Sequence, residues 1–349
     1  MKGLRLVLTP FAPDQSGATG VLYDMGGIII ICDAGGCAGN ICGFDEPRWS
    51  NHRSAIFSAG LRDMDAILGR DDRLVEKLSM AAKDIEANFV AVIGTPVPAV
   101  IATDYKALER MAEKKTGLPV ITVEANGMRT YDRGEEEAYL ALFKKFIKDK
   151  DSINVNEKRV GVLGAVPMEL GGVAEKDMIV NNLKAEGYEE VITYGFGATF
   201  EDVLRAGDAS LNIAVSPAGI KAAKYLKDTY GTPYEIRMPL GRSIADGIDV
   251  KNKKVLVVHQ QVYANAVRDK LLEKGARGVD VGSYFMMDKE LSAKADVRLE
   301  EEDDFVVLTT NGKYDIIMAD GILKPLIKDF GGDFVNLPHF ALSGKQEVV

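Results

Sequence analysis

Short apolar runs rich in β-branched residues recur along the chain, and each is followed by an amphipathic stretch that closes on glycine. No other feature constrains the fold as much. Apolar runs this short fit strands buried on both faces. The amphipathic stretch between two runs supplies the crossover that a parallel pair requires. The expectation is an α/β protein built from mostly parallel sheets.

Three segments can be separated. The first, residues 1–150, holds the runs GGIIIIC, NFVAVIG and LPVITVE and ends in a helix, EEEAYLALFKKFI, and a charged linker, KDKDSINVNEK. The second, 151–250, opens with KRVGVLGAV; its first helix stops at Gly187, a C-terminal signal, and VITYG follows as a strand. Thr199 and Asp202 then have the spacing of a capping box, with Asp in place of Glu. A strand SLNIAVS, a helix ending at Gly231 and a strand YEIRMP come next. The third, 251–349, opens with KKVLVVHQQV, a weak echo of the second, and the runs FVVLTT, YDIIMAD and DFVNLP are read as completing another small α/β sheet. The coarse reading is three Rossmann-like domains in series, with ligands expected at the carboxyl ends of strands.

A chain of 349 residues is too long for one ordinary core, and 46% apolar with 27% charged residues is the balance of a soluble globular protein. The net charge of -9 argues against nucleic-acid binding, which needs a basic face. The apolar start is broken by Pro10 and Pro13, and the run Ile28 to Ile31 is too short to span a bilayer, so no membrane role and a cytoplasmic location are expected.

Cysteine is where the sequence speaks about chemistry. All three, Cys32, Cys37 and Cys42, fall within eleven residues at five-residue steps. Random placement clusters three residues this tightly only ~0.2% of the time, so indifferent placement explains them poorly. An odd, small number rules out a disulfide framework and suits a reducing compartment where thiols serve metals. The strand Ile28 to Ile31 delivers the chain into a loop whose glycines let the backbone approach a bulky ligand. Iron-sulfur clusters prefer cysteine, and closed zinc sites take four ligands, so three cysteines need a fourth group or a second subunit. Asp33, Asp45 and His52 are the non-cysteine candidates. The competing reading makes GGCAGN a tight turn or phosphate loop and Cys32 a small buried hydrophobe.

The stretch GGCAGNICGFDEPRWSNHR resembles the GPxGC(A/G)G motif, followed by tryptophan and arginine, that is shared by nitrogenase component 1 subunits, their cofactor-assembly scaffolds and dark protochlorophyllide reductase subunits. Cys37 matches the motif cysteine that ligates a cluster between subunits. LRDMDAILGRDDRLVEKL resembles a family segment with Asp65 where glutamate is usual, and NFVAVIGTPVPAVIATD resembles a strand ending in cysteine, with Thr95 in the cysteine's place. The family's first ligand, expected near Phe11 to Asp14, is missing. GLPVITVEANGM, KRVGVLGAV, YDIIMAD and FVNLPHFALSG extend the resemblance over nearly the whole chain, with unspecific motifs.

The resemblance implies an iron-sulfur cluster, with 4Fe-4S one candidate type, and a homodimer or a paralogous second subunit. It also implies an iron-protein-type ATPase as donor of low-potential electrons, and a small-molecule substrate in the cleft among the three domains; tetrapyrroles are the class that shorter family members reduce. Cys32 and Cys42 would replace the lost ligands, or two loops would meet across a twofold axis. A scaffold or carrier of a metallocluster or tetrapyrrole, without turnover, and a cluster-free binding protein are the alternatives.

The remaining motifs are weaker. GFGATFEDV has two of the three glycines of a dinucleotide fingerprint and reads better as a turn, and no GxxxxGK(S/T) occurs, so any ATP would be hydrolysed by a partner. His52, His259 and His339 form no ligand-spaced pair, and the latter two read as packing residues near the cleft. Arg48, Trp49 and Arg53 either shape a docking face or position an anionic group, or else Trp49 packs under the loop and the arginines are solvated. Met286 and Met287 read as core filler.

Overall fold

The computed structural model describes residues 5–51, 54–147, 149–240 and 246–345. The first sheet contains β1 (Ile28–Ile31), β2 (Ala55–Ser58), β3 (Val90–Ile93) and β4 (Val120–Val123) in the order β2-β1-β3-β4. The second contains β5 (Asn156–Leu163), β6 (Glu190–Thr193), β7 (Ala209–Ala214) and β8 (Tyr234–Ile236) in the order β6-β5-β7-β8. The third contains β9 (Lys254–Val258), β10 (Gly278–Ser283), β11 (Val297–Arg298), β12 (Ile316–Ala319) and β13 (Asp333–Asn336) in the order β11-β10-β9-β12-β13. Every pairing between these strands is parallel.

Each order reverses at the sheet's first strand, so each sheet has a topological switch point: between β1 and β3, between β5 and β7, and between β9 and β12. Crevices for ligands open outside the carboxyl ends of strands at such points. The chain leaves β1 there through the cysteine loop and leaves β3 through Thr95.

β1 shows why an all-isoleucine run makes a central strand. It is paired on both sides, and its side chains alternate between two cores: Ile28 and Ile30 pack with Leu74, Val75 and Leu78, while Ile29 and Ile31 join the cluster containing Val21, Phe89 and Tyr139. That second cluster runs from Leu8 to Leu342 and takes in residues from all three sheets, so the three layers share one core.

The helix Tyr131–Phe146 organises this core. It packs against the helix Asp14–Leu22 on one side and the helix Pro217–Tyr230 on the other. Its Tyr139 hydroxyl donates to the Tyr194 carbonyl at 2.7 Å and accepts from the Gly164 amide at 3.1 Å, stitching it to the second sheet.

One strand expectation fails. FVVLTT lies inside the helix Glu302–Gly312. The preceding acidic run supplies Glu301 and Asp304 as a capping box, and acidic residues in the first turn oppose the positive end of the helix dipole, which outweighs the β-branched preference of the run that follows. The box expected at Thr199 does form: the Asp202 amide donates to Thr199 Oγ1 at 3.2 Å and the Thr199 amide to Asp202 Oδ2 at 3.0 Å. Thr199→Ala is therefore expected to cost about 1 kcal/mol in urea unfolding. Among the described residues no helix is long and apolar enough to cross a membrane.

Candidate functional site

After β1 the chain turns through Gly35, whose φ of 127° suits glycine, into a short helix, Gly36–Asn40, and a π-helical turn, Ile41–Asp45. Cys37 lies on the helix and Cys42 on the turn. The Asp33 carboxylate fixes the loop, accepting from the Ala38 amide at 2.8 Å and from Ser58 Oγ at 2.5 Å. Both its oxygens are engaged, so Asp33 serves the loop's shape. Asp45 likewise accepts from Ser16 Oγ and Asn40 Nδ2, each at 2.7 Å. His52 and Arg53 lie outside the described residues.

The three thiols do not share one environment. Cys32, 2% exposed, packs on the face of the first sheet that carries Ile28, Ile30 and Leu74. Cys37 packs against the other core, and Cys37 and Cys42 are both half-buried. Burial, with Asp71 and Asp33 adding to it, pushes the Cys32 thiol up to about 12. Burial also raises Cys37, with Asp33 adding and a contact to Thr95 opposing, and raises Cys42, with Glu46 adding. All three therefore favour the protonated thiol at neutral pH, and a bound metal would have to displace the proton.

Thr95, at the position where the resemblance expects cysteine, is fully buried and donates from Oγ1 to the Cys32 carbonyl at 2.7 Å. The loop expected to hold the first ligand is likewise built for packing. Phe11 stands 5.5 and 5.2 Å from the rings of Tyr284 and Phe285, and the Asp14 carboxylate accepts from the Asn126 and Gly127 amides and from Arg129.

Among the described residues no three His, Cys, Asp or Glu side chains come together as a metal-binding group. One chain thus does not fit a cluster with four thiolate ligands. The outer surface of the loop, however, is open: a Cβ added at Gly35, Gly36, Gly39 or Gly43 would meet nothing within 4 Å. Packing inside this chain does not account for those glycines. Around them, the segments leaving the carboxyl ends of the first sheet's strands expose Phe44, Met64, Ile67, Leu68, Val100 and Met128.

Arg48 is neither on a docking face nor solvated, which corrects both readings made from the sequence. It is buried, bonded through Nε and Nη2 to Glu46 at 2.7 Å each, through Nη1 to Asp24 at 2.8 Å, and to the carbonyls of Gly20 and Gly195 at 2.7 Å. GFGATFEDV is the turn that meets it: Gly195 and Gly197 adopt φ of 88° and 91°, and the Gly197 amide donates to Asp24 at 2.8 Å. Beside the loop a cleft of about 650 Å³ is lined by Phe11, Phe44, Asp45, Met168 and Phe340 together with neighbouring backbone. His259 and His339, unrelated in sequence spacing, stack with ring centroids 4.1 Å apart.

Three parallel sheets on one core, with a glycine- and cysteine-bearing loop at the switch point of the first, define an α/β protein of the kind that holds ligands between layers. The model of the nitrogenase component 1 type oxidoreductase family matches residues 15–246, well over half of the chain, and the chain belongs to that family. It is 28% identical over 180 residues to the nitrogenase iron-molybdenum cofactor biosynthesis protein NifE of Clostridium pasteurianum, a match covering 51% of this chain and 38% of that protein. It is 26% identical over 223 residues to NifE of Klebsiella pneumoniae, covering 57% and 46%. The matches thus span less than half the length of these curated relatives. Nitrogenase Cp1, solved at pH 6.5, shares the fold with a TM-score of 0.72 at 14% identity, covering 97% of this chain and 87% of that one.

Proposed function

We propose that this chain is an electron-accepting oxidoreductase of its family's type, working in the reducing cytoplasm as a pair of chains that share an iron-sulfur cluster at the first sheet's carboxyl edge. The observation that carries this reading is the open loop around Cys37, with glycines at which an added Cβ would meet nothing in the chain. Each chain would contribute Cys37 and Cys42, so that two chains, identical or paralogous, complete the four thiolates that one lacks. The exposed Phe44, Ile67, Val100 and Met128 are the apolar cover such a partner would bury. When bound, the cluster would store low-potential electrons delivered by an iron-protein-type ATPase. The cleft lined by Phe11, Met168 and Phe340 would receive the substrate.

The similarity to two proteins named for iron-molybdenum cofactor biosynthesis favours a second reading, a scaffold that carries a metallocluster without turnover. Both readings predict the same first result. Protein purified without oxygen is expected to contain iron and acid-labile sulfide, and Cys37→Ala to lose more than nine-tenths of both, while Cys32→Ala retains them. Iron equal in wild type and Cys37→Ala would refute cluster binding at this loop. Electron transfer from an ATP-dependent iron protein to the loaded chain separates oxidoreductase from scaffold.

A further inference from the structure

A second set of ionisable groups is buried where the switch points of the second and third sheets approach the helix Tyr131–Phe146. Ser216 follows β7, and His259 follows β9. Between them stand Glu135 and Glu169, 0% and 1% exposed. Neither oxygen of Glu135 has a hydrogen-bond partner among the described residues, nor does Oε1 of Glu169 or Oγ of Ser216. The Tyr131 hydroxyl donates to Glu169 Oε2 at 3.0 Å and lies 3.4 Å from His339 Nε2.

His259 does not take part as a proton carrier. Its Nδ1 accepts from the Gln260 amide at 2.9 Å, so its Nε2, 3.0 Å from the Pro338 carbonyl, bears the hydrogen. Both nitrogens are satisfied in the neutral ring, and burial lowers its pKa to about 4. Its stacked partner His339 faces Tyr131 with Nε2, and burial, then His259, holds its pKa well below the usual imidazole value, so it too rests neutral and can only relay a proton.

Both oxygens of Glu135 are buried with no donor among the described residues and call for a proton, while the Ser216 hydroxyl lies in reach of Glu169 and opposes the rise of its pKa. Two carboxylates facing each other in an apolar interior do not both ionise; they hold one proton between them. The other charged or titratable groups in reach do not replace it. Asp132 adds negative charge, Tyr131 and Tyr139 are fully buried phenols, and Arg48, the nearby cation, is already paired with Glu46 and Asp24. Burial, then Glu169 and Asp132, raises Glu135; burial and then Asp132 raises Glu169 to about 8.

We propose that Glu135 and Glu169 share one proton and that Tyr131 links it to His339, making the pair an internal proton donor beside the cleft walled by Met168 and Phe340. Its use in a reduction rests on the function proposed above; the shared proton does not. In donation, the proton passes from Glu169 to Tyr131, from Tyr131 to His339 Nε2 and from His339 to the group being reduced in the cleft, so that His339 is neutral before and after and the pair is left briefly in the doubly ionised state that the apolar interior disfavours. One proton returned from solvent restores the pair, and no electron moves in these transfers.

Infrared spectra of the purified protein between pH 5 and pH 9 test this directly. A carboxylic acid C=O band sensitive to deuterium is expected at neutral pH and should weaken toward the alkaline end of the range, since burial raises both carboxyls above the usual range. Glu135→Gln and Glu169→Gln should each remove it, and Tyr131→Phe should keep it but slow its deuterium exchange at least tenfold. The sign for stability follows. A raised folded-state value gives stability that is complete below the unfolded glutamate value of about 4.3 and is lost as pH rises through the folded one. The wild-type melting midpoint should therefore fall across this window, and that of Glu135→Gln should fall less. Absence of the band at pH 7, or its survival in both glutamine variants, overturns the shared proton; unchanged exchange in Tyr131→Phe overturns the link. A protein that shows the band but accepts no electrons from any iron protein would refute the reductive function and its proton-donor role, leaving the shared proton in place.

Discussion

Arg48→Met is expected to lower the stability of the chain by about 3–5 kcal/mol, because it leaves a buried carboxylate without its partner. Glu46 has a side-chain exposure of 2% and gives both oxygens to this guanidinium. The same fork reaches Asp24 and the carbonyls of Gly20 and Gly195, so one side chain joins the cysteine loop, the first helix and the turn after β6. It also lies 4.5 Å from the centroid of the Tyr23 ring. Lysine would not substitute, since its ammonium cannot present a planar fork of five donors. In urea unfolding, a loss below 1 kcal/mol would show that the network is not the clamp described. Adding Glu46→Gln should recover part of the loss, since the coupled partners are not additive.

Gly134→Ala is expected to cost about 3 kcal/mol or more, although alanine would otherwise gain about 1 kcal/mol in a helix. A Cβ at Gly134 would stand 1.7 Å from the Asp14 carbonyl oxygen and 2.5 Å from its carbon, both backbone atoms. Across the same crossing, a Cβ at Gly17 would stand 1.9 Å from the Tyr131 carbonyl oxygen. The helices Asp14–Leu22 and Tyr131–Phe146 therefore meet backbone to backbone, and neither can yield by rotating a side chain. Thermal unfolding would reveal the change, and a midpoint equal to or above wild type would mean that the helices separate freely.

Much of the architecture was legible because burial on both faces leaves so plain a trace. GGIIIIC, NFVAVIG and KKVLVVHQQV all hold central strands, and Gly187 and Gly231 lie just past the helices they were expected to end. β2 left no such trace: Ala55–Ser58 is a short, partly exposed edge strand, with neither a long apolar run nor clear alternation. FVVLTT misled because helical capping lies outside the run itself. For the candidate site, the sequence located the loop but not its facing. The spacing of Cys32, Cys37 and Cys42 does not reveal that the first follows β1 into the far core, since that depends on the register of a strand against its neighbours. The Glu135–Glu169 pair was invisible for a related reason. EEEAYLALFKKFI reads as a helix, but nothing in it shows that Glu135 and Glu136 are buried; for Glu135 the close crossing permitted by Gly134 and the approach of Glu169 from the second sheet enclose it. Gly134, in the first turn of that helix, was the available sign.

The glycines of the cysteine loop separate two kinds of selection. Gly134 and Gly17 are held by the chain's own backbone, so any change there is judged at folding, before the protein meets anything else. A Cβ at Gly36, Gly39 or Gly43 would meet nothing within 4 Å, so the chain's own packing does not exclude a small side chain there. Changes at these three positions are therefore judged mainly by the body that settles against them, whereas Gly35 and Asp33 in the same loop are held by its turn.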